Sequence, residues 1–128
     1  MDNNLSFLAN AWKSYAEAVI KYDIHSPEAQ SRFWAFDQIV DLVRNKPLDA
    51  LEVILIILKI TDDERVLANL AAGPLEDLLV VRGEEVIDRI IELAISDKNF
   101  YALLQGVWGN SIDKAVWYRI QELYKIKH

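Results

Sequence analysis

Residues 70–79 read LAAGPLEDLL, and the interpretation of this stretch decides how the middle of the chain folds. Gly73 can adopt a positive φ without the steric penalty of a Cβ, as residues that end helices often do. Pro74 has a helical φ and lacks the N–H that a first-turn residue leaves unpaired. Glu76 and Asp77 then fall where free N–H groups and the helix dipole favour negative charge. The stretch therefore predicts a tight corner, with one helix ending at or just before Gly73 and the next beginning at Pro74.

Apolar residues recur at helical spacing on both sides of this corner. The predicted helices cover residues 4–22, 27–45, 47–60, 61–72, 74–82, 84–95 and 98–108, with a last helix capped by Asn110 and ending near residue 125. A capping box at 61–64 opens the fourth helix, and Gly83 resets the chain before the sixth. The third helix is apolar on nearly every side from Val53 to Leu58, which indicates a buried helix. We therefore expect almost no solvent exposure at Ile54, Leu55 and Leu58.

Eight short helices with short corners and no convincing strand predict an all-α fold. We expect antiparallel helical hairpins stacked in the manner of HEAT repeats, and the alternative arrangement is an orthogonal helical bundle. A chain of 128 residues is the usual size of one domain, so we assign residues 1–128 to a single helical domain. Hydrophobic residues make up 52% and charged residues 27%, which is the balance of a globular protein.

The N-terminus lacks the basic segment and apolar core of a signal peptide, and the longest apolar run, residues 53–58, is too short to span a membrane. The chain has no cysteine, which fits a reducing compartment. We therefore expect a soluble, cytoplasmic protein without membrane association.

Negative charge is concentrated in the middle of the chain. Residues 47–97 contain twelve acidic and four basic residues, whereas the whole chain has a net charge of −6. Nucleic-acid binding needs a basic stripe, so this distribution argues against it. Acidity alone can serve solubility, but it also suits a basic protein partner, because complementary charge steers association. We place the candidate acidic surface on Glu84, Glu85 and Asp88.

Sequence motifs for catalysis are absent. With two histidines and no cysteine, the chain offers no pattern for a transition-metal site, and no phosphate loop, dinucleotide fingerprint or nucleophile elbow occurs. Adjacent carboxylates such as Glu76 and Asp77 point about 100° apart on a helix and lie at predicted helix starts, where capping explains them. The second interpretation of Glu76 and Asp77 is an acidic recognition point. We expect no catalytic residues, cofactor or metal.

Two tryptophans are candidate binding residues. Trp34 lies off the apolar side of its helix, on the side of Asp37, and Trp117 flanks the main apolar side of the last helix. Exposed tryptophan is a common anchor for protein partners, although each ring could instead pack under a neighbouring helix. Trp108 follows Gly106-Val107 at a helix end and is expected in the core.

Arg119 falls on the apolar side of the last helix, where a charge needs a partner or a route to water. We predict that it pairs with Glu76 or Asp77, because neither acid has a basic residue three or four positions away on its own helix. An arginine fork suits such a pair, since it can meet a carboxylate with two hydrogen bonds.

The words AAGPLEDLL at 71–79 and Gly106-Val107-Trp108, with Gly83 and Phe100 between them, resemble an uncharacterised family of small bacterial proteins with a domain of unknown function. The resemblance covers most of the chain, and its specific words fall between residues 70 and 120. It implies a bacterial, compact, helical protein and carries over no catalytic residue. It also associates the chain with toxin-immunity gene neighbourhoods.

The sequence thus favours a small protein-binding domain, in one form an immunity-type inhibitor that occludes a basic toxin through the acidic middle helices. The alternative is a small-molecule-binding protein or enzyme whose interhelical cleft is lined by Trp34, Asp37 and Arg119. A flat acidic surface would favour the first interpretation. A cleft that encloses carboxylates or an arginine beside aromatic rings would favour the second.

Overall fold

The computed structural model describes the backbone of residues 2–127 and the side chains of residues 4–126, and all regular secondary structure in that range is helical. The elements are α1 (Asp2–Tyr22), α2 (Pro27–Gln30), α3 (Phe33–Asn45), α4 (Pro47–Ile60), α5 (Glu64–Leu70), a π-helical turn (Ala71–Leu75), α6 (Glu76–Ser96), α7 (Lys98–Leu104) and α8 (Lys114–Lys127). The predicted all-α class is confirmed. The predicted helix over 27–45 is divided at Ser31 and Arg32 into α2 and α3.

Helix α4 lies at the centre of the molecule. It packs against α1, α3 and α6, and also contacts α7 and the π turn. HEAT-type stacks are built from contacts between neighbouring repeats, so the contact of α4 with the distant α1 makes the hairpin stack only an approximate description.

The side of α4 that these helices cover carries Val53, Ile54 and Ile57, each without exposed surface. Leu55 and Leu58 are only half-buried, so the expectation that they would be inaccessible is wrong. Both leucines lie on the side of α4 that lines a groove described below.

The predicted corner at Gly73-Pro74 is wrong. Helix α5 passes into α6 through the π turn without a break, and no described glycine has a positive φ. A proline inside a helix removes one N–H donor and its ring clashes with the carbonyl four residues earlier. The wider π turn, in which the Glu76 N–H donates to the Ala71 carbonyl, gives the Pro74 ring room. Burial of Ala71, Pro74 and Leu75 holds this turn in place.

The break that the chain does make in this region is a kink at Arg82, where φ is −131° and ψ is 29°. This is one residue before Gly83, at which the sequence predicted the chain to reset. The Arg82 guanidinium donates from Nε to the Arg44 carbonyl at the end of α3, at 3.1 Å, and from Nη1 to Glu85 at 2.8 Å. Gly83 lies against Val116 of α8, and an added Cβ would be 3.2 Å from that side chain. The kink therefore brings α6 against α3 and α8.

Helix starts follow the side-chain capping rules with small shifts. Helix α2 begins at residue 27 as predicted, where Ser26 accepts from the Ala29 N–H and Pro27 lies in the first turn. Asp63, not Thr61, caps α5, because its carboxylate accepts from the N–H groups two and three residues later. Asp97 caps α7 in the same way. Among the described residues, Asp23 has a positive φ (93°). It directly follows α1, so an aspartate takes the position after a helix that glycine usually fills.

The two sequence segments that carry the family resemblance, residues 71–79 and 106–108, contact each other in the structure. Gly106 lies so close to the π turn that a Cβ there would be 2.9 Å from the Cβ of Ala71. The Trp108 N–H donates to Oε1 of Glu76 at 3.1 Å. This junction fixes the loop that follows α7 against the start of α6. The Glu76 carboxylate thus accepts a hydrogen bond from a loop N–H. The sequence predicted that it would instead stabilise the free N–H groups at the start of a helix.

Candidate functional site

A groove runs between the C-terminal half of α4, the start of α5, the C-terminal half of α6 and the start of α7. Its larger part has a volume of about 850 Å³, and a neighbouring part of about 350 Å³ shares Leu58, Thr61, Asp62 and Asn99 with it. The two parts therefore form one continuous depression, which we call the α4–α7 groove.

Apolar side chains form the floor of the α4–α7 groove, while polar atoms contribute more than half of the exposed lining of its larger part. Leu55, Ile56, Leu58 and Leu93 line the larger part, and none of them is fully buried. Leu67, Ala68, Ala71, Ala102 and Leu103 extend the apolar lining into the smaller part. Helical period creates this floor, because α4 turns Val53, Ile54 and Ile57 into the core and leaves the leucines of its other side over the groove.

Six charged side chains also line the groove, and we call them its rim. Four acids line the groove, Glu52, Asp62, Glu64 and Asp97, together with the two bases Lys59 and Arg89. The Asp97 carboxylate also caps α7, and Arg89 pairs with Glu92 at 3.3 Å. The rim is therefore net acidic, and all four acids belong to the acidic middle of the sequence.

The predicted acidic surface is exposed but largely neutralised within the chain. Glu84, Glu85 and Asp88 are all exposed on α6. Glu85 pairs with Arg82 at 2.8 Å, and Asp88 pairs with Arg119 at 2.9 Å. A partner attracted to this surface would have to compete with both intramolecular ion pairs.

The prediction that Arg119 pairs with Glu76 or Asp77 is wrong, since Arg119 is half-exposed and meets Asp88 of α6. The close approach of α8 to α6 at Gly83 brings Asp88 within reach, and a helical wheel of α8 alone cannot reveal this. Asp77 is exposed as a residue, yet partial shielding of its carboxyl, together with the charge of Glu76, raises the pKa of Asp77. The π turn also removes the helix start that was expected to stabilise these two acids.

The aromatic candidates fall in different environments. Trp34 is 44% exposed and stacks on Phe7, with ring centroids 5.9 Å apart. Asp37 is exposed on the same helix, α3. Trp117 is half-buried against Gly109, where an added Cβ would overlap the indole ring. Trp108 is 68% exposed, so its expected core position is wrong, because the loop turns the ring outwards while its N–H holds Glu76.

Trp34 and Asp37 lie on α3, whereas Arg119 lies on α8 and pairs with Asp88 of α6. The α4–α7 groove was not predicted at all. Its signal in the sequence is a helix apolar on all sides that continues into an acidic capping segment, at residues 53–63. That pattern does not say which helices flank the depression.

The described residues contain no group of three or more histidine, cysteine, aspartate or glutamate side chains placed to hold a metal ion. Among the same residues, no helix combines the length and apolar composition that a membrane crossing requires.

Comparison with known proteins gives a family and nothing more specific. Residues 23–127 match the model of a family of unknown function, DUF6869. No curated protein and no solved structure shows significant similarity to the chain. The matched range includes α2 to α8, the π turn and the loop that packs on it. The chain therefore belongs to the DUF6869 family of unknown function.

Proposed function

We propose that this protein is a small protein-binding domain whose α4–α7 groove receives a basic, amphipathic helical segment of another protein. The observation that carries the proposal is the combination of an apolar floor with a net acidic rim in one depression. Amphipathic helices bind proteins by laying their apolar side into such grooves.

The apolar floor supports the proposal through its incomplete burial. Leu55 and Leu58 of α4 and Leu93 of α6 are half-buried although they adjoin the main core. Apolar surface that is concave and framed by polar groups is typical of binding sites. Covering it would add roughly 25 cal/mol for each Å² removed from water.

The rim supports the choice of a basic partner. Four acids and two bases line the groove, and the segment from 47 to 97 that supplies most of the lining carries twelve acids against four bases. An acidic field of this kind speeds the encounter with a basic partner and repels acidic ones. The groove is a better candidate than the surface formed by Glu84, Glu85 and Asp88, because two of those three acids are already paired.

An immunity-type inhibitor is one form of this proposal, in which the basic partner is a toxin and occupancy of the groove blocks the toxin's own binding surface. A bacterial, cytoplasmic setting belongs to the same form. The toxin partner and the bacterial setting rest on the resemblance described above, and the cytoplasmic setting rests on the lack of cysteine. The groove itself supports binding of any basic amphipathic segment.

The proposal is tested with a labelled helical peptide that carries leucines at i, i+4 and i+7 and lysines on its opposite side. A peptide with glutamate in place of every lysine is the matched control. We expect the lysine peptide to bind, with an affinity that falls as salt rises, and the glutamate peptide to bind at least about tenfold more weakly. Equal binding of the two peptides would contradict the role of the rim.

Location is tested by paired charge reversals that change the net charge equally. Glu52→Lys with Asp62→Lys alters the rim, whereas Asp37→Lys with Glu84→Lys alters acids outside the groove. The four substituted residues are all exposed, so the two pairs differ mainly in whether they lie in the groove. The rim pair should weaken lysine-peptide binding clearly more than the control pair, and equal losses would show attraction to the overall charge alone.

A further inference from the structure

The two parts of the α4–α7 groove differ in charge. Two bases, Lys59 and Arg89, line the larger part beside three acids. The smaller part is lined by Asp62 and Glu64, and no basic residue among those that the structure describes lines it. A positive charge on a bound segment is therefore attracted to the smaller part without repulsion from a lining lysine or arginine.

The two parts also differ in polarity. Apolar atoms form most of the exposed lining of the smaller part, whereas polar atoms predominate in the larger part. Removal of apolar surface from water is favourable in proportion to the area covered, so an apolar side chain gains most where the wall it covers is also apolar. The apolar contact of a bound segment should therefore be concentrated in the smaller part.

Small residues create the space in this part of the groove. Ala68 of α5, Ala71 of the π turn, Ala102 of α7 and Gly106 line it, and none has a side chain beyond Cβ. A Cβ at Gly106 would be 2.9 Å from the Cβ of Ala71, so the lining has no gap between these two residues. The volume of about 350 Å³ is at the lower end for ligand pockets, which suits one large side chain rather than several.

The two acids of the smaller part are available to a partner. Asp63, which lies between them in sequence, caps α5 and faces Arg65 at 3.8 Å. Asp62 and Glu64 are exposed, and neither pairs with a basic side chain in the range from 4 to 126. Asp62 lines both parts of the groove, so it lies where they join. The acids are thus positioned to meet a base beside the side chain that fills the smaller part.

We propose that the smaller part is the anchor pocket of the groove. It takes one large apolar side chain of the bound helical segment, and a lysine or arginine within one helical turn of that side chain pairs with Asp62 and Glu64. This inference rests on the proposed function and adds to it the feature that selects the partner, an apolar anchor next to a base.

Peptide scanning combined with a pocket-filling substitution tests the anchor. Each leucine of the lysine peptide is replaced in turn by alanine, and binding to the full chain is measured. One replacement should weaken binding at least about tenfold, because that leucine is the one fully removed from water, and the others about threefold or less. Ala102→Leu fills the pocket, so it should weaken the parent peptide by a similar factor and hardly affect the peptide that lacks the anchor leucine. Ala115→Leu, at an exposed position of α8 outside the groove, is the matched control.

A pair of isosteric substitutions tests the base. Asp62→Asn with Glu64→Gln removes two negative charges from the pocket, whereas Asp37→Asn with Glu84→Gln removes two exposed charges elsewhere. Two exposed ion pairs contribute about a factor of two to ten in affinity, so the first variant should bind the lysine peptide more weakly by that factor. The second variant should lose clearly less. Equal losses in the two variants would overturn the pairing with Asp62 and Glu64.

The outcomes separate this inference from the proposed function. If the lysine peptide binds but Ala102→Leu and Ala115→Leu affect it equally, the anchor pocket is refuted and the proposed function stands. Ala68→Leu, at an exposed position of α5 in the same lining, gives the same comparison if Ala102→Leu disturbs folding. Absence of any binding by the lysine peptide would refute the proposed function and this inference with it.

Discussion

The contact between Gly106 and the π turn can be tested by two substitutions of the same kind. A Cβ at position 106 would be 2.9 Å from the Ala71 Cβ and 3.3 Å from the Leu103 carbonyl oxygen. Both atoms are fixed to the backbone, so no side-chain rotation relieves the overlap. Gly106→Ala should therefore lower the free energy of unfolding by about 1–3 kcal/mol, the usual cost of overpacking.

Gly73→Ala provides the matched control. Gly73 lies within the π turn, its φ is not positive, and an added Cβ has nothing within 4 Å. Glycine inside a helix costs roughly 0.5–1 kcal/mol relative to alanine, so this variant should be more stable than wild type by up to that amount. The corner that the sequence predicted at Gly73 requires the reverse, since alanine is strained at a positive φ.

Urea unfolding followed by circular dichroism measures both variants. The midpoint should fall for Gly106→Ala and rise or stay constant for Gly73→Ala, with the slope unchanged in each. A destabilised Gly73→Ala would refute the continuous helix through the π turn. A neutral Gly106→Ala would refute the tight contact between the loop and Ala71.

Three further outcomes follow from burial and titration. Burial, with a smaller effect of Tyr101, raises the pKa of Tyr124 to about 12. The free energy of unfolding should therefore fall by about 1–2 kcal/mol, with solvent screening allowed for, as pH rises from about 10 to 12. This loss should be smaller in Tyr124→Phe and unchanged in Tyr118→Phe, a control at an exposed position. Because the pKa of Asp77 is raised in the folded protein, ionisation of its carboxyl lowers the free energy of unfolding as pH rises. Asp77→Asn removes this ionisation and should be more stable than wild type at pH 7 in the same unfolding assay. Ile54→Ala should cost about 2–5 kcal/mol and Leu55→Ala clearly less, because only the first is fully buried; equal costs would contradict the orientation of α4.

The fold class was predictable because helical periodicity is a local property. The starts of α2 at Pro27 and of α7 at Lys98 follow from groups close in sequence, and the sequence predicts a helix beginning at each of these two residues. Gly73-Pro74 was misjudged for the same local reason. Stop and start signals stand side by side there, but burial of Ala71 and Leu75 against other helices keeps the helix continuous. Tertiary packing outweighs local preference at this point.

The sites were less predictable because they depend on which helices become neighbours. Arg119 was recognised as a charge that needs a partner, yet its partner Asp88 follows from the approach of α8 to α6 at Gly83. The half-buried state of Leu55 and Leu58 likewise depends on how α4 faces α6 and α7. Periodicity identifies the apolar sides of a helix but does not say which side is left uncovered.

We propose the α4–α7 groove as the binding surface. Its most direct test is a ¹⁵N NMR titration of the full chain with the lysine-bearing amphipathic peptide, read as the positions of the shifted amides. We expect shifts concentrated at residues 52–64 and 89–103, the two ranges that supply most of the groove lining. Shifts concentrated instead around Glu84 to Asp88 or Trp34, or no saturable shifts at all, would contradict it.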